Sequence, residues 1–222
     1  MAHRELLGSL SMSEGARPGS VDRLAESTHT RRLARGQILF VEGEPAEHLY
    51  VVASGRIKVV VTSPRGESLV LRILGAGETL GELAVLDGGP RSAGAEALDA
   101  VELAAIPAPA VLAFLRSEPE AALGIARDLA ATVRRLTGSA ADLVFLDLPR
   151  RVAKLLLDAA TPPAVIVDLR RSQGELAAQL GATRQSVNRA LGLLHQRGWV
   201  HTDPSGSVRI VDRAALDRYA SS

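Results

Sequence analysis

The chain has no cysteine among its 222 residues. A disulfide framework, a thiolate metal site and a cysteine-ligated iron–sulfur sensor are therefore excluded. Long apolar runs are also missing. The longest, Val101 to Val111, is broken by Glu102, Pro107 and Pro109 and falls well short of the roughly 20 residues of a membrane helix. The N-terminus has no basic start followed by a long apolar core. A soluble, cytoplasmic protein without a membrane partner is the expectation. The histidines show no paired spacing, so no metal is expected, and no nucleophile stands with a base partner, which argues against an enzyme.

The length accommodates one large domain or two modest ones, each able to bury a core. Net charge is only +1, but it is unevenly placed. From Arg150 onward there are 11 Lys and Arg against 6 Asp and Glu, a net of +5, which leaves −4 for the first 149 residues. A basic C-terminal part is a hint of nucleic-acid binding, although basic surface can equally be a solvated face.

One stretch combines features that no ordinary strand or helix needs: Gly77-Glu78-Thr79-Leu80-Gly81-Glu82-Leu83-Ala84-Val85-Leu86-Asp87-Gly88-Gly89-Pro90-Arg91-Ser92-Ala93. Gly77 and Gly81 allow the backbone to turn and to approach a ligand closely, and Leu83 to Leu86 can form one helical turn whose N–H groups face an anion. Arg91 supplies a planar fork for two phosphate oxygens, Ser92 a hydroxyl donor, and an ionised Glu82 an acceptor for a sugar hydroxyl. Together they describe a cradle for a nucleotide with one exposed phosphate. From these residues alone, a glycine-rich turn carrying a weak surface ion pair is an equal reading.

Residues 1–26 carry only short apolar pairs such as Leu6-Leu7, which predicts a frayed tail or one docking helix. From Thr30 the pattern is all-β: Gln37 to Val41, Leu49 to Val52, Ile57 to Val61, Ser68 to Leu74 and Ala93 to Ile106, divided by Glu42-Gly43-Glu44-Pro45 and Ser54-Gly55. About eight short strands would roll into a closed antiparallel barrel. Beyond Pro119, the residues Leu123, Ala126, Ala130, Val133, Thr137, Ala140 and Val144 recur at spacings of three and four, the seam of a coiled coil. A helix of about 27 residues would span roughly 40 Å and join two chains. A second stripe, Leu129, Leu136, Leu143 and Leu146, would cover its own barrel; the plainer alternative is one amphipathic helix with no second chain. Thr137 is the polar member of the seam and can bond back to a helix carbonyl.

Asp147-Leu148-Pro149 reads as a helix break and hinge, with Asp147 capping a helix from Arg150 to Ala159 that Thr161-Pro162-Pro163 ends. Val165 to Leu169 is a short strand. Ser172-Gln173-Gly174-Glu175 has capping-box form and opens a helix through Leu180. Gly181 turns the chain, Thr183 caps a helix from Arg184 to Gln196, and Val187, Leu191 and Leu194 take one face. Arg184, Gln185, Asn188 and Arg189 lie near the other. This is helix-turn-helix spacing, in which the second helix enters the major groove of double-stranded DNA. Arg184 and Arg189 suit guanine and Gln185 adenine, while Thr183 and Ser186 suit phosphate or the cap. Gly198-Trp199-Val200 and Val208 to Val211 flank Asp203-Pro204-Ser205-Gly206 as a hairpin wing, with Trp199 in the core. A helical hairpin used for protein contacts is the alternative to DNA binding.

The run Gly81 to Ala93 resembles the phosphate-binding cassette of the cyclic-nucleotide-binding domains, and Arg184-Gln185-Ser186-Val187-Asn188-Arg189 resembles the Arg-Glu-Thr-Val-x-Arg pattern of one bacterial family. That family is the cyclic-AMP receptor protein and fumarate-nitrate regulator family of transcription factors. The resemblance covers about Arg31 to Tyr219. It implies an α+β chain: a tail or short helix over 1–26, a cyclic-nucleotide-binding β-roll or jelly roll over 27–116, a dimerisation helix over 117–146 and a winged helix-turn-helix domain over 147–222. It implies Glu82 on the ribose 2′-hydroxyl, Arg91 and Ser92 on the cyclic phosphate, and the backbone at Gly81 and Leu83 along the floor. In the family, neighbouring Thr and Ser on the long helix reach the adenine amino group; those positions are Leu136 and Thr137 here, so one hydroxyl is left. The implied protein is a homodimer on a near-palindromic operator, controlled by cyclic AMP, with RNA polymerase a candidate partner. The same fold answering to cyclic GMP, haem or no effector, and a nucleotide-binding regulatory subunit of an enzyme, are the competing readings. Glu replaced by Gln185 predicts a shifted base preference.

Overall fold

The computed structural model describes residues 3–66, 68–160, 166–168, 173–203 and 207–221. The chain divides into two compact units, residues 1–65 with 71–134, and 66–70 with 135–222. Among the described residues no helix is long and apolar enough to cross a membrane.

The first unit opens with two helices, α1 (His3–Gly8) and α2 (Pro18–Glu26), linked through a 3-10 turn at Ser11–Ser13. This corrects the expectation of a frayed tail or a single helix. The short apolar pairs fall on inward faces: Leu6, Leu7, Leu10, Met12, Val21 and Leu24 are all buried. Eight strands follow: β1 (His29–Leu33), β2 (Ile38–Phe40), β3 (His48–Ser54), β4 (Ile57–Thr62), β5 (Ser68–Leu74), β6 (Thr79–Leu80), β7 (Gly94–Ala97) and β8 (Val101–Pro107), with helix α3 (Glu82–Asp87) between β6 and β7. They form two four-stranded sheets, ordered β1-β8-β3-β6 and β2-β7-β4-β5.

Strand β3 is apolar on both faces because both are covered. Tyr50 and Val52 point into the core between the sheets with Leu103 and Ala105 of β8. Leu49 and Val51 point outward with Ala104 and Ile106, against the N-terminal helices and α4 (Ala108–Ser117). Ala93 to Ile106, expected as one strand, is two. Leu98 continues the apolar pattern, but the chain turns there: its N–H donates to the Arg56 carbonyl at 2.9 Å, and Arg56 pairs with Asp99 at 2.7 Å. Gly55 permits that approach, since a Cβ there would lie 2.3 Å from the Ala100 carbonyl oxygen.

Helix α5 (Pro119–Phe145) has the expected 27 residues. Its buried face at the first turns is Ala121, Gly124 and Ile125, with Leu129 packed at the edge of the same core. Leu123, Val133 and Val144 of the apolar seam stand exposed. So do Leu136 and Leu143, which the sequence pattern assigns to the barrel side. Small residues, rather than leucines, bring α5 close: a Cβ at Gly124 would meet the Ser11 carbonyl oxygen at 2.3 Å.

In the second unit, α6 (Leu148–Ala159), β9 (Ile166–Asp168), α7 (Gln173–Gln179), α8 (Arg184–Gln196), β10 (Val200–Thr202), β11 (Ser207–Ile210) and α9 (Arg213–Ala220) form a helical core edged by a three-stranded sheet, β10-β11-β9. Asp147 caps α6 by accepting from the Arg150 N–H at 3.0 Å. The helix begins two residues before the expected Arg150, because Pro149 in the first turn needs no N–H partner. Lys154 binds both carboxylate oxygens of Asp142, at 2.8 and 2.6 Å, and so ties α6 to the last turns of α5. The expected breaker at 161–163, the capping Ser172 and the turn residues 204–206 lie outside the described residues.

Candidate functional site

Short β6 delivers the chain to Gly81, whose φ of 82° lies in the left-handed region that favours glycine. Helix α3 starts at the next residue and ends at Gly88, φ 72°. The cassette expected from sequence is thus a turn, a helix of six residues and a second turn. It returns through Gly89-Pro90-Arg91-Ser92, and the backbone of Arg91 is clamped there: its N–H donates to the Glu44 carbonyl and its carbonyl accepts from Gly43 N–H, both at 2.8 Å. Glu42-Gly43-Glu44-Pro45 therefore does more than join two strands.

The Arg91 side chain is almost fully buried, 4% exposed. Its Nη1 donates to the Gly81 carbonyl at 2.8 Å and its Nη2 to the His48 carbonyl at 2.6 Å. The guanidinium carbon lies 4.2 Å from the Phe40 ring centroid and 5.6 Å from that of Tyr50. Burial lowers the guanidinium pKa, while Tyr50, Glu44 and Glu82 act in the opposite direction. Its Nε is buried with no partner among the described residues. An unpaired buried donor costs about 1–3 kcal/mol, and an anionic oxygen brought to it would remove that cost. Burial raises the Glu82 carboxyl above its ordinary value; its own backbone N–H and the guanidinium groups of Arg72 and Arg91 oppose the rise, and Asp128 adds to it. Leu83 and Ser92 are exposed at the two ends of the cassette. A buried arginine with an unpaired donor, a half-buried carboxylate and an open glycine backbone can accept a phosphate and a sugar hydroxyl together. Sequence reasoning missed Phe40 and Tyr50, whose aromatic spacing carries no ligand signature.

In the second unit the turn before α8 is closed by Ala182 N–H donating to the Ala177 carbonyl at 2.9 Å, with Gly181 at φ 57°. Thr183 Oγ1 accepts from the Ser186 N–H at 3.2 Å, capping α8 as expected, and lies 3.0 Å from the Ser186 hydroxyl. Val187, Leu191 and Leu194 are buried against Val152, Leu156 and Leu216. Arg184, Gln185, Asn188 and Arg189 are exposed, and their spacing places them on one side of the helix. Arg189 Nη2 donates to Ser186 Oγ at 3.3 Å. The hairpin pairs Val200 with Ile210 and His201 with Arg209. Trp199, expected in the core, is only half-buried: its ring lies 5.0 Å from that of Tyr219, with the Arg197 guanidinium 4.9 Å away.

Residues 30–118 match the model of the cyclic nucleotide-binding domain, and residues 150–219 that of the Crp-like helix-turn-helix domain. A CRP-like cAMP-activated global transcriptional regulator of Mycobacterium tuberculosis is 33% identical over 97% of this chain and 99% of its own length. The chain belongs to the CRP/FNR family of transcriptional regulators. The cyclic AMP receptor protein of Thermus thermophilus is 36% identical over 93% of this chain and 94% of its own. Among solved structures, the c-di-GMP responsive global regulator CLP of Xanthomonas campestris superimposes with a TM-score of 0.75 at 26% identity, covering 87% of this chain and 99% of that one.

Membership in the CRP/FNR family makes this a cyclic-nucleotide-binding, DNA-binding regulator. The relatives are transcription regulators by name. Leu136 and Thr137 of α5, the two positions that the sequence resemblance assigns to the base, are both exposed.

Proposed function

We propose that the protein is a homodimeric, sequence-specific DNA-binding regulator whose operator affinity is set by a cyclic nucleotide held at Gly81, Glu82, Leu83, Arg91 and Ser92. The observation that carries this reading is the buried Arg91 with its unpaired Nε, on a cassette that also carries Glu82, in one chain with a capped, exposed-faced α8. Arg91 and Ser92 take the phosphate and Glu82 the ribose. The exposed seam Leu123, Val133 and Val144 supports pairing of two chains along α5, through 117–146. Two copies of α8 would then read half-sites about 34 Å apart on a near-palindrome, with Arg184, Gln185, Asn188 and Arg189 at base edges and Thr183 and Ser186 at the backbone. The break at Asp147 and Pro149 serves as the hinge through which effector binding shifts the population of DNA-competent dimers. RNA polymerase is a candidate partner of the DNA-bound dimer.

Cyclic AMP is the first effector to test, because the Mycobacterium tuberculosis and Thermus thermophilus relatives are both named for it. A gel shift on genomic fragments, with and without the nucleotide, tests the whole reading: sequence-selective retardation that depends on nucleotide is expected. Retardation without sequence preference in both conditions overturns it.

A further inference from the structure

A buried arginine is ordinarily paired with a carboxylate, because an unpaired charge is costly away from water. Arg91 is held differently. Its Nη donors meet the carbonyl oxygens of Gly81 and His48, which are neutral, and among the described residues it forms no ion pair. Two aromatic rings cover the guanidinium. Its carbon stands 4.2 Å from the Phe40 centroid and 5.6 Å from that of Tyr50, and the rings are themselves stacked, 5.9 Å apart with 25° between their planes. Strand β2, which brings Phe40, is the edge of its sheet, and its alternation is broken: Leu39 and Phe40, neighbours in sequence, are both buried in the same core. The break is a bulge. Ile38 faces Glu96 and Phe40 faces Ala95, so two steps along β2 match one along β7. Bulges re-aim side chains and are common beside functional sites; this one accompanies the turn of the Phe40 ring to Arg91. Tyr50 reaches the same guanidinium from β3, and its hydroxyl accepts from Arg31 Nη1 at 3.4 Å.

We infer that Phe40 and Tyr50 are positioning residues for the effector phosphate: their ring faces hold Arg91 buried and charged without neutralising it. The inference rests on the cyclic-nucleotide reading above. An aromatic face attracts a cation through its quadrupole but carries no net charge. A carboxylate in its place would cancel the charge of the arginine and compete with the phosphate for the same donors. Held by two rings and two carbonyls, the guanidinium keeps its full charge, and an Nε without a partner among the described residues, for an incoming anion. The rings act through Arg91 and need no contact with the nucleotide themselves.

Calorimetric titration of the full chain with cyclic AMP, cyclic GMP and cyclic di-GMP tests this on the wild type, Phe40→Leu, Phe40→Met, Phe40→Tyr and Tyr50→Phe, with a melting curve for each protein. Leucine and methionine fill the space without a ring face. Each should weaken binding of every nucleotide that the wild type binds by about threefold to thirtyfold, and Phe40→Met carries the comparison if Phe40→Leu does not fold. Phe40→Tyr and Tyr50→Phe keep the face and should bind within about twofold of the wild type. A role in packing alone would lower the melting temperatures of the leucine and methionine variants and leave the dissociation constants of the folded proteins unchanged. That result overturns the positioning role and leaves the cyclic-nucleotide reading intact, and so does a loss in Phe40→Tyr equal to that in Phe40→Met. Failure of the wild type to bind any of the three nucleotides overturns both.

Discussion

Gly81 and Arg91 fit together only because position 81 has no side chain: a Cβ there would lie 2.2 Å from Arg91 Nη1, the atom that donates to the Gly81 carbonyl. Gly81→Ala therefore adds a left-handed backbone strain of about 1–2 kcal/mol and expels a buried guanidinium. We expect lower thermal stability together with an affinity loss for cyclic nucleotide at least as large as that of Arg91→Ala. Calorimetry and a melting curve on both variants check this; a Gly81→Ala protein that binds as the wild type does would remove Arg91 from the phosphate role.

Glu82 yields a prediction in which stability and binding part. Burial raises its carboxyl, so its protonated form is favoured on folding. Stability from this group is complete below its unfolded value and is lost as pH rises through the raised folded value. At neutral pH the buried carboxylate is thus a cost. Glu82→Gln should raise the melting temperature of the effector-free protein while weakening cyclic-nucleotide binding by roughly tenfold, the loss of about one charged hydrogen bond. A melting temperature that falls would show the charge to be satisfied within the fold.

Much of this arrangement was legible because local chemistry and tertiary structure agreed. Gly81 turns the chain into α3, Thr183 caps α8, and α5 has the expected 27 residues. The misses came where a signal needs a partner to be read. Leu6-Leu7 is a helix face only when a barrel lies beneath it. Leu98 continues an alternation that Arg56 and Asp99 interrupt from across a turn. Arg91 was expected to point at a ligand; its donors to the Gly81 and His48 carbonyls involve a residue far away in sequence.

Two glycines in helices should respond oppositely to the same substitution. Nothing lies within 4 Å of a Cβ at Gly192 in α8, so Gly192→Ala should stabilise by about 0.5–1 kcal/mol through helix propensity. At Gly124 the added carbon meets backbone at Ser11, and Gly124→Ala should destabilise by about 1–3 kcal/mol as an overpacked contact. Urea denaturation of the two variants decides this. Stabilisation by Gly124→Ala would mean that the 3-10 turn at Ser11–Ser13 does not rest on α5.

Glu118 links the N-terminal helices to the start of α5 and sets the acid limit of that contact. Its buried carboxylate accepts from Arg17 Nε at 2.8 Å and from Ser20 Oγ at 2.6 Å, and these bonds hold its pKa below the ordinary value of 4.5. With the folded value depressed, the contribution is present above the unfolded value and disappears as pH falls through the folded one. The wild type should therefore lose stability on acidification below about pH 4.5 more steeply than Glu118→Gln, whose amide neither titrates nor pairs with Arg17 as a charge. Melting temperatures of the two proteins from pH 7 to pH 3 should converge at the acid end. Parallel curves would place the linkage at other carboxylates, and α1 and α2 would then be held by Leu7, Met12 and Leu24 without help from the ion pair.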